Sequence, residues 1–337
     1  MELFGMTRAA LEARAQARGA SAGAARVFAR YRLAQMAQRP LPEAPSRALL
    51  AEALAADLPR AEAVTDPDGT VRFAVELAEG AVVETVLISH PSRRTVCLSS
   101  QAGCARGCVF CETGRLGLSR NLDASEIVAQ YALAARHLGA RPDNVVFMGM
   151  GEPLDNLDEV LRAIAVLTEP LGFAVPERRI TVSTVGIVPR MPELYARTRA
   201  QVAVSLHAVD EGQRRALLPV ARRWRIAELR DAIARAPRTV LLQWTLIDGV
   251  NDADADADAL ARFCEGLDVR VNLIPLNPGP VRSQRAPPMS RCRAFQKRLA
   301  DAGVRTLLRM PHGREVGGAC GQLAGARRGL VIGGGPG

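Results

Sequence analysis

The sequence lacks an apolar run of the roughly 18–20 residues that would cross a lipid bilayer. Its N-terminal stretch, MELFGMTRAALEARAQARG, alternates charged residues with alanine and has no uninterrupted apolar core, so it predicts a helix rather than a signal peptide. We therefore expect a soluble, cytoplasmic monomer with no membrane partner. The 337 residues, 48% of them apolar, are enough for one large domain or two small ones.

The sequence also lacks a balance of charge. Its formal net charge is +9, and arginine supplies most of the basic residues. An excess of positive charge favours a polyanionic partner such as nucleic acid. A chain rich in Ala, Gly and Arg can equally owe its arginines to a GC-rich genome. Charge alone therefore leaves a nucleic-acid partner open.

An even, regularly spaced set of cysteines is missing as well, which argues against a disulfide framework. There are seven cysteines. Cys264 and Cys292 lie in helix-like patterns and are expected to be buried apolar residues. The remaining five are Cys97, Cys104, Cys108, Cys111 and Cys320.

Three of these five stand close together in GCARGCVFCETG, residues 103–114, as Cys-x3-Cys-x2-Cys. Zinc sites usually contain a repeated Cys-x2-Cys pair, and no second pair follows here. A cubane iron–sulfur cluster normally takes four cysteines, so three would leave one iron open to another ligand, such as the amino and carboxylate groups of S-adenosylmethionine. Zinc with a remote fourth ligand and free core cysteines are the alternatives.

The rest of the chain predicts an α/β fold. Residues 1–70 are predicted to form an accessory helical segment, residues 71–93 a β-hairpin, and residues 326–337 a flexible tail. Within 94–325, apolar strand patterns alternate with helical patterns, which predicts parallel βαβ units closed into a partial (β/α) barrel. The strand candidates are residues 95–100, 144–151, 179–186, 200–208, 239–249, 269–277 and 304–310.

The predicted strands end in small or polar residues. In a (β/α) barrel, chemistry occurs at the carboxyl ends of the strands, so these residues are candidates for a cofactor pocket. Each ending taken alone is typical of a simple strand-to-helix turn. The endings are Met150-Gly151-Glu152-Pro153, Ser183-Thr184-Val185-Gly186, Ser205-Leu206-His207 and Asn277-Pro278.

A three-cysteine motif opening a barrel, followed by GEP at a strand end, resembles the radical S-adenosylmethionine superfamily. The resemblance narrows to the RlmN/Cfr family of RNA adenosine methyltransferases and runs in order from about Glu84 to Gly325. Residues 1–70 match that family poorly. The motifs that carry it are VCLSSQAGCARGCVFCETG, RNL, GMGEPL, TVSTVGIVP, VSLHA, DGVND, VNLIPLNP and GACGQLAG.

The resemblance implies a site residue by residue. Cys104, Cys108 and Cys111 would hold a 4Fe–4S cluster. Cys320 would carry a methyl group, Cys97 would resolve the covalent adduct, and Glu84 would accept a proton. The implied S-adenosylmethionine contacts are Gly151, Glu152, Ser183, Ser205, Leu206, His207 and Asn277.

The resemblance implies methylation of an adenosine ring carbon in RNA, most often C2 of 23S rRNA and in addition tRNA. Two S-adenosylmethionine molecules would be used per turnover. One would methylate Cys320 and the other would yield a 5′-deoxyadenosyl radical, after which Cys97 and Cys320 would be left as a disulfide. An external electron donor such as flavodoxin or ferredoxin is implied. The alternatives are C8 methylation, as in the Cfr branch, or a different substrate. Glu112, Leu118 and the N-terminal segment depart from the family pattern.

Overall fold

The computed structural model describes residues 2–37, 39, 58–277, 279 and 284–324. The predicted tail, residues 326–337, lies outside them. Of the described helices, none is long and apolar enough to span a membrane. A single α-helical turn covers Glu112–Arg115. The α-helices of seven or more residues are α1 Arg8–Ala17, α2 Ala22–Met36, α3 Ala124–Leu138, α4 Leu157–Thr168, α5 Met191–Arg197, α6 Glu211–Leu217, α7 Ile226–Ala234, α8 Asp254–Cys264 and α9 Met289–Asp301.

Strands of the described ranges form one large sheet and one small one. The large sheet has the order β1-β2-β3-β4-β7-β8-β9-β10-β11-β12, and β5 pairs with β6 alone. The strands are β1 Ala61–Thr65, β2 Val71–Glu76, β3 Val82–His90, β4 Arg93–Cys97, β5 Gln101–Cys104, β6 Gly117–Asn121, β7 Asn144–Phe147, β8 Ile180–Thr184, β9 Gln201–Ser205, β10 Val240–Leu246, β11 Val269–Pro275 and β12 Thr306–Leu308.

The part of the large sheet from β4 to β12 is parallel throughout. Its strands follow one another in the sheet in the order of the chain, and helices connect them. Since such crossovers are almost always right-handed, the helices collect on one face and leave the other for a site. This arrangement confirms the α/β prediction. Six of the seven strand candidates contain one of these strands, and the first, residues 95–100, overlaps β4, which begins two residues earlier.

The core lies between the sheet and its helices. Leu242, Trp244 and Leu246 of β10 are fully buried, and the Trp244 ring lies 6.0 Å from the Phe295 ring of α9. Burial on both faces explains why these strands read as apolar runs without strict alternation. A second cluster, containing Leu11, Phe28 and Leu33, joins α1 to α2.

Residues 71–90 form the predicted hairpin, in which β2 pairs with β3 from Val71 opposite Leu87 onwards. Its turn contains Glu79 and Gly80, both with positive φ. Strand β1 adds antiparallel to β2, although residues 1–70 were predicted to be helical. That prediction is wrong for Ala61–Thr65, because pairing with β2 outweighs the low β-propensity of alanine and glutamate.

Helix α3 begins with a reciprocal capping box. Asp123 accepts a hydrogen bond from the Glu126 amide at 2.9 Å, and Glu126 accepts one from the Asp123 amide at 3.1 Å. These bonds satisfy two amides that the first turn of a helix leaves without intrahelical partners.

We expect Asp123→Ala to lower the free energy of unfolding by about 1 kcal/mol, because the cap accepts a bond that alanine cannot. Urea denaturation followed by circular dichroism measures this loss. Asp123→Ser retains a capping oxygen and is the control. Equal losses in the two variants would contradict the role of the cap.

Candidate active site

An open cleft lies at the carboxyl ends of the parallel strands. Its space, including the part open to solvent, is about 950 Å³. The predicted residues that line it are Cys104, Cys108, Cys111, Gly151, Glu152, Ser183, Ser205, His207, Asn277 and Cys320. The structure therefore brings together residues that are more than 200 positions apart in the chain.

The loop that carries Cys104, Cys108 and Cys111, residues 103–114, forms one wall of this cleft and is called the cysteine loop here. Cys104 ends β5, and Gly103 before it has a φ of +82° with the Gly117 carbonyl only 2.0 Å from where a Cβ would stand. Arg106 binds both carboxylate oxygens of Asp155, one of them at 2.6 Å from Nε. The Val109 amide donates to the Leu217 carbonyl at 3.1 Å. These contacts tie the loop to the turn after Glu152 and to α6.

The three thiols are of the residue type that iron–sulfur clusters take as ligands. Throughout the described ranges, no group of three His, Cys, Asp or Glu side chains is arranged to hold one metal ion. A cubane binds each thiolate through a different iron, so its ligands stand farther apart than those of zinc. Burial raises the pKa of Cys104 to about 12 and that of Cys108 well above its usual value. A bound metal would therefore have to displace the protons.

The turn Gly151-Glu152-Pro153 brings the backbone close to the Gln101 side chain and supplies a buried carboxyl group. Gly151 has a φ of +99°, and a Cβ there would lie 2.6 Å from the Gln101 side chain, so only glycine fits. Glu152 is 2% exposed and accepts hydrogen bonds from the amides of Val185 at 2.8 Å and Leu154 at 3.1 Å. Burial raises the pKa of Glu152 to about 7 despite these bonds.

His207 is held in a single orientation. Its φ is +57°, and its Nδ1 accepts a hydrogen bond from the Thr245 amide at 2.9 Å. The neutral ring therefore carries its proton on Nε2. Its centroid lies 4.5 Å from that of Phe110 in the cysteine loop. Leu206 differs from its neighbours because its fully buried side chain belongs to the core and does not line the cleft.

We expect His207 to stay neutral over pH 5–8, because burial, with a contribution from the Arg214 cation, lowers its pKa to about 3. Nitrogen-15 NMR of histidine-labelled protein should show a ring that keeps protonated Nε2 and bare Nδ1 throughout this pH range, and His207→Asn should remove that signal. The unfolded residue titrates near pH 6.5, so this histidine stabilises the fold above about pH 6.5 and that contribution is lost as the pH falls towards 3. A His207 signal that shifts between pH 6 and 7 would contradict this prediction.

Cys320 lies between the cleft and a second cavity. The second cavity also contains Cys97 and Arg309, and it shares Met148, Ile274, Asn277 and Cys320 with the cleft. Cys320 is exposed and Cys97 is buried. Burial raises the pKa of Cys97, and the neighbouring Cys320 adds to the effect. All seven cysteines are free thiols, so the disulfide implied by the resemblance is not present in this structure.

The segment that carries Cys320, residues 312–324, is called the Cys320 loop here. The turn between β1 and β2 holds the beginning of this loop. Asp66 accepts from the amides of Glu315 at 2.9 Å and Val316 at 3.3 Å, and Asp68 accepts from the Gly313 amide at 2.9 Å. The N-terminal extension of the sheet therefore helps to place Cys320.

The cleft side holds the far part of the Cys320 loop. Asn277 Nδ2 donates to the Cys320 carbonyl at 3.1 Å, and Thr113 Oγ1 donates to the Leu323 carbonyl at 2.7 Å. The Glu112 amide donates to the Gly321 carbonyl at 2.9 Å. Since Glu112 and Thr113 directly follow Cys111, the cysteine loop and the Cys320 loop are bonded to each other.

Glu84 lines neither cavity. It is 1% exposed, forms an ion pair with Arg72, and accepts a hydrogen bond from the Ala324 amide at 2.6 Å. Its carboxylate thus contacts the end of the Cys320 loop. The role of proton acceptor stays a prediction for this residue.

We expect Asp66→Ala to loosen the Cys320 loop, because two loop amides lose a buried acceptor. Trypsin should cleave after Arg314 roughly tenfold faster, since local opening then costs about 1–2 kcal/mol less. Glu62→Ala, on the exposed side of β1, is the control. Identical cleavage rates in the wild type and Asp66→Ala would contradict the proposed tether.

Several cleft residues were missed by the sequence reasoning, among them Thr113, Gln243 and Thr245. One signal was available for Gln243 and Thr245, since they are the polar residues within the apolar strand run LLQWTL. Thr113 had no comparable signal, because its bond to Leu323 joins positions 210 residues apart.

The class of protein follows from this fold and site together with comparison to known proteins. The family model described as Radical SAM superfamily matches residues 98–261. A crystal structure of a radical SAM methyltransferase from Sphaerobacter thermophilus is 39% identical and superimposes with a TM-score of 0.88, covering 95% of this chain and 98% of that one.

Two curated relatives narrow the class. The protein named "Probable RNA methyltransferase sce1580" of Sorangium cellulosum is 51% identical, over 83% of this chain and 72% of its own length. "Dual-specificity RNA methyltransferase RlmN" of Syntrophobacter fumaroxidans is 45% identical, over 76% of this chain and 77% of its own length. The chain belongs to the RlmN/Cfr family of radical S-adenosylmethionine methyltransferases.

Proposed function

We propose that this protein methylates C2 of an adenosine in 23S rRNA, and an adenosine of tRNA as a second substrate, with Cys320 as the methyl carrier. The observation that carries the proposal is the position of Cys320. It lines both the cleft that contains Cys104, Cys108 and Cys111 and the cavity that contains Cys97. The relatives named as RlmN dual-specificity RNA methyltransferases support C2 and the pair of RNA substrates.

In this proposal, Cys104, Cys108 and Cys111 hold a 4Fe–4S cluster, and Gly151, Glu152, Ser183, Ser205, Leu206, His207 and Asn277 bind S-adenosylmethionine, Leu206 through its backbone. When bound, the cluster and S-adenosylmethionine supply a 5′-deoxyadenosyl radical. Electrons come from an external donor such as flavodoxin or ferredoxin, and two S-adenosylmethionine molecules are used per turnover. The protein acts as a monomer in the cytoplasm.

The chain's own residues account for the transfer. The exposed Cys320 sulfur would take a methyl group from one S-adenosylmethionine by nucleophilic attack, leaving S-adenosylhomocysteine. That methyl group would lose a hydrogen atom to the 5′-deoxyadenosyl radical from the second S-adenosylmethionine, and its carbon would then bond to the adenine ring. Glu84 is the proposed acceptor of the ring proton, for which its bond to Ala324 would have to open. Cys97 then attacks the Cys320 sulfur, which frees the methylated base and leaves a disulfide. Burial of Cys97 keeps it protonated until that step.

Four cysteine variants separate the parts of this mechanism. We expect Cys104→Ala to lose iron and the absorbance at about 400 nm, while Cys320→Ala keeps about four irons per chain and transfers no methyl group. Cys97→Ala should accumulate RNA crosslinked to Cys320, because the resolving thiol is missing. Cys264→Ala is the matched control, since that buried cysteine lies on α8 and lines neither cavity.

Nucleoside mass spectrometry after anaerobic reaction with 23S rRNA and tRNA is the measurement. 2-Methyladenosine supports the proposal, and 8-methyladenosine would assign the protein to the C8 reaction. Methyl transfer by Cys320→Ala would disprove the carrier mechanism. Zinc without iron in anaerobically purified protein would disprove the radical chemistry as a whole.

A further inference from the structure

Gln243 is a buried polar side chain in the floor of the cleft. It lies on β10, opposite Ser205 of β9 in the strand register, and is 4% exposed. Its side chain lines the cleft together with Thr245. Within the described part of the chain, neither its Oε1 nor its Nε2 has a hydrogen-bond partner.

A buried side-chain amide without hydrogen-bond partners lowers the stability of the fold when no ligand is bound. A buried donor or acceptor without a partner loses its bonds to water and gains none in return. The neighbouring Leu242 and Trp244 are fully buried apolar residues on the opposite face of the strand, so Gln243 is a polar residue that β10 presents towards the cleft. Native proteins contain few such groups, and a ligand is one of the explanations for those that occur.

The backbone around Gln243 is rigidly placed. Its carbonyl accepts hydrogen bonds from the amides of Leu206 at 3.0 Å and His207 at 3.3 Å. The side-chain amide of Gln243 therefore extends from a strand that is hydrogen-bonded to β9 and β11, and it is not a mobile surface group. Such a side chain is suited to bind a ligand without reorganisation.

The charges in the cleft indicate which part of a ligand lies here. Glu152 interacts electrostatically with Cys104, so this carboxyl group lies on the cysteine side of the cleft. Gln243, Thr245 and Ser205 are uncharged. An amide offers both donors and an acceptor, which suits ribose hydroxyls and adenine nitrogens better than the charged amino and carboxylate groups of methionine.

We propose that Gln243 binds the adenosyl portion of S-adenosylmethionine through its side-chain amide. This inference depends on the proposed function only in taking S-adenosylmethionine as the cleft ligand. No RNA is needed for it. It adds a contact to the set implied by the resemblance.

The test compares ligand binding with stability. In cluster-loaded protein, Gln243→Met should raise the Kd of S-adenosylhomocysteine roughly tenfold, since one or two hydrogen bonds are lost. The Kd of 5′-deoxyadenosine should rise by a similar factor and that of methionine should not change. Without ligand, the Tm should stay the same or increase, because a buried group without partners has been removed.

Gln130→Met is the matched control. Gln130 is fully buried and bonded to Thr85 and Ser99, so its replacement should lower the Tm and leave the Kd of S-adenosylhomocysteine unchanged. Gln243→Leu provides a second apolar variant in case the methionine variant does not fold.

An unchanged Kd for S-adenosylhomocysteine in Gln243→Met would overturn the inference, and so would an equal rise for methionine and 5′-deoxyadenosine. A fall in Tm like that of Gln130→Met, with binding intact, would make Gln243 a structural residue and also overturn it. Wild-type protein that binds S-adenosylhomocysteine but methylates no RNA would disprove the proposed function and leave this inference standing.

Discussion

The active-site arrangement depends on the parallel pairing of β4 and β7 to β12. Parallel strands connected by helices all end at the same edge of the sheet, so residues far apart in the chain meet there. Ser183, Ser205 and Gln243 each belong to a different strand, and each strand is bonded to its neighbours on both sides. The geometry of the cleft is therefore set by the sheet, and the loops at its rim add the reactive groups.

The two loops that carry cysteines are bonded to each other and to the sheet. Glu112 and Thr113 bond to the Cys320 loop immediately after the last of the three clustered cysteines. Asp66 and Asp68 hold the other side of that loop through its backbone amides. Since these bonds involve carbonyls and amides of the loop, they position Cys320 and leave its thiol exposed. This support suits the role proposed for Cys320, since a methyl carrier must face first one ligand and then another.

The sequence predicted the parallel sheet and most of the cleft, because both follow from local patterns. Apolar runs marked the strands, and polar residues such as Glu152 and His207 marked their ends. Strand β1 escaped prediction because its composition does not favour a strand, and only pairing with β2 stabilises it. The tether by Asp66 escaped because it is formed with backbone amides some 250 positions away, which no local pattern shows. Leu206 shows a limit of motif matching. The matched motif implied that Leu206 contacts the ligand, and it did not reveal that the side chain enters the core.

Burial distinguishes four of the cysteines at the site, and the distinction suits the roles proposed for them. Burial raises the pKa values of Cys104, Cys108 and Cys97. These thiols therefore stay protonated unless a metal binds to them or they react with a neighbouring sulfur. Cys320 is exposed at the junction of two cavities. Protonated thiols are poor nucleophiles. In the proposed mechanism, the accessible Cys320 thiol is the one that S-adenosylmethionine alkylates, and burial keeps the proposed resolving thiol, Cys97, from the same reaction.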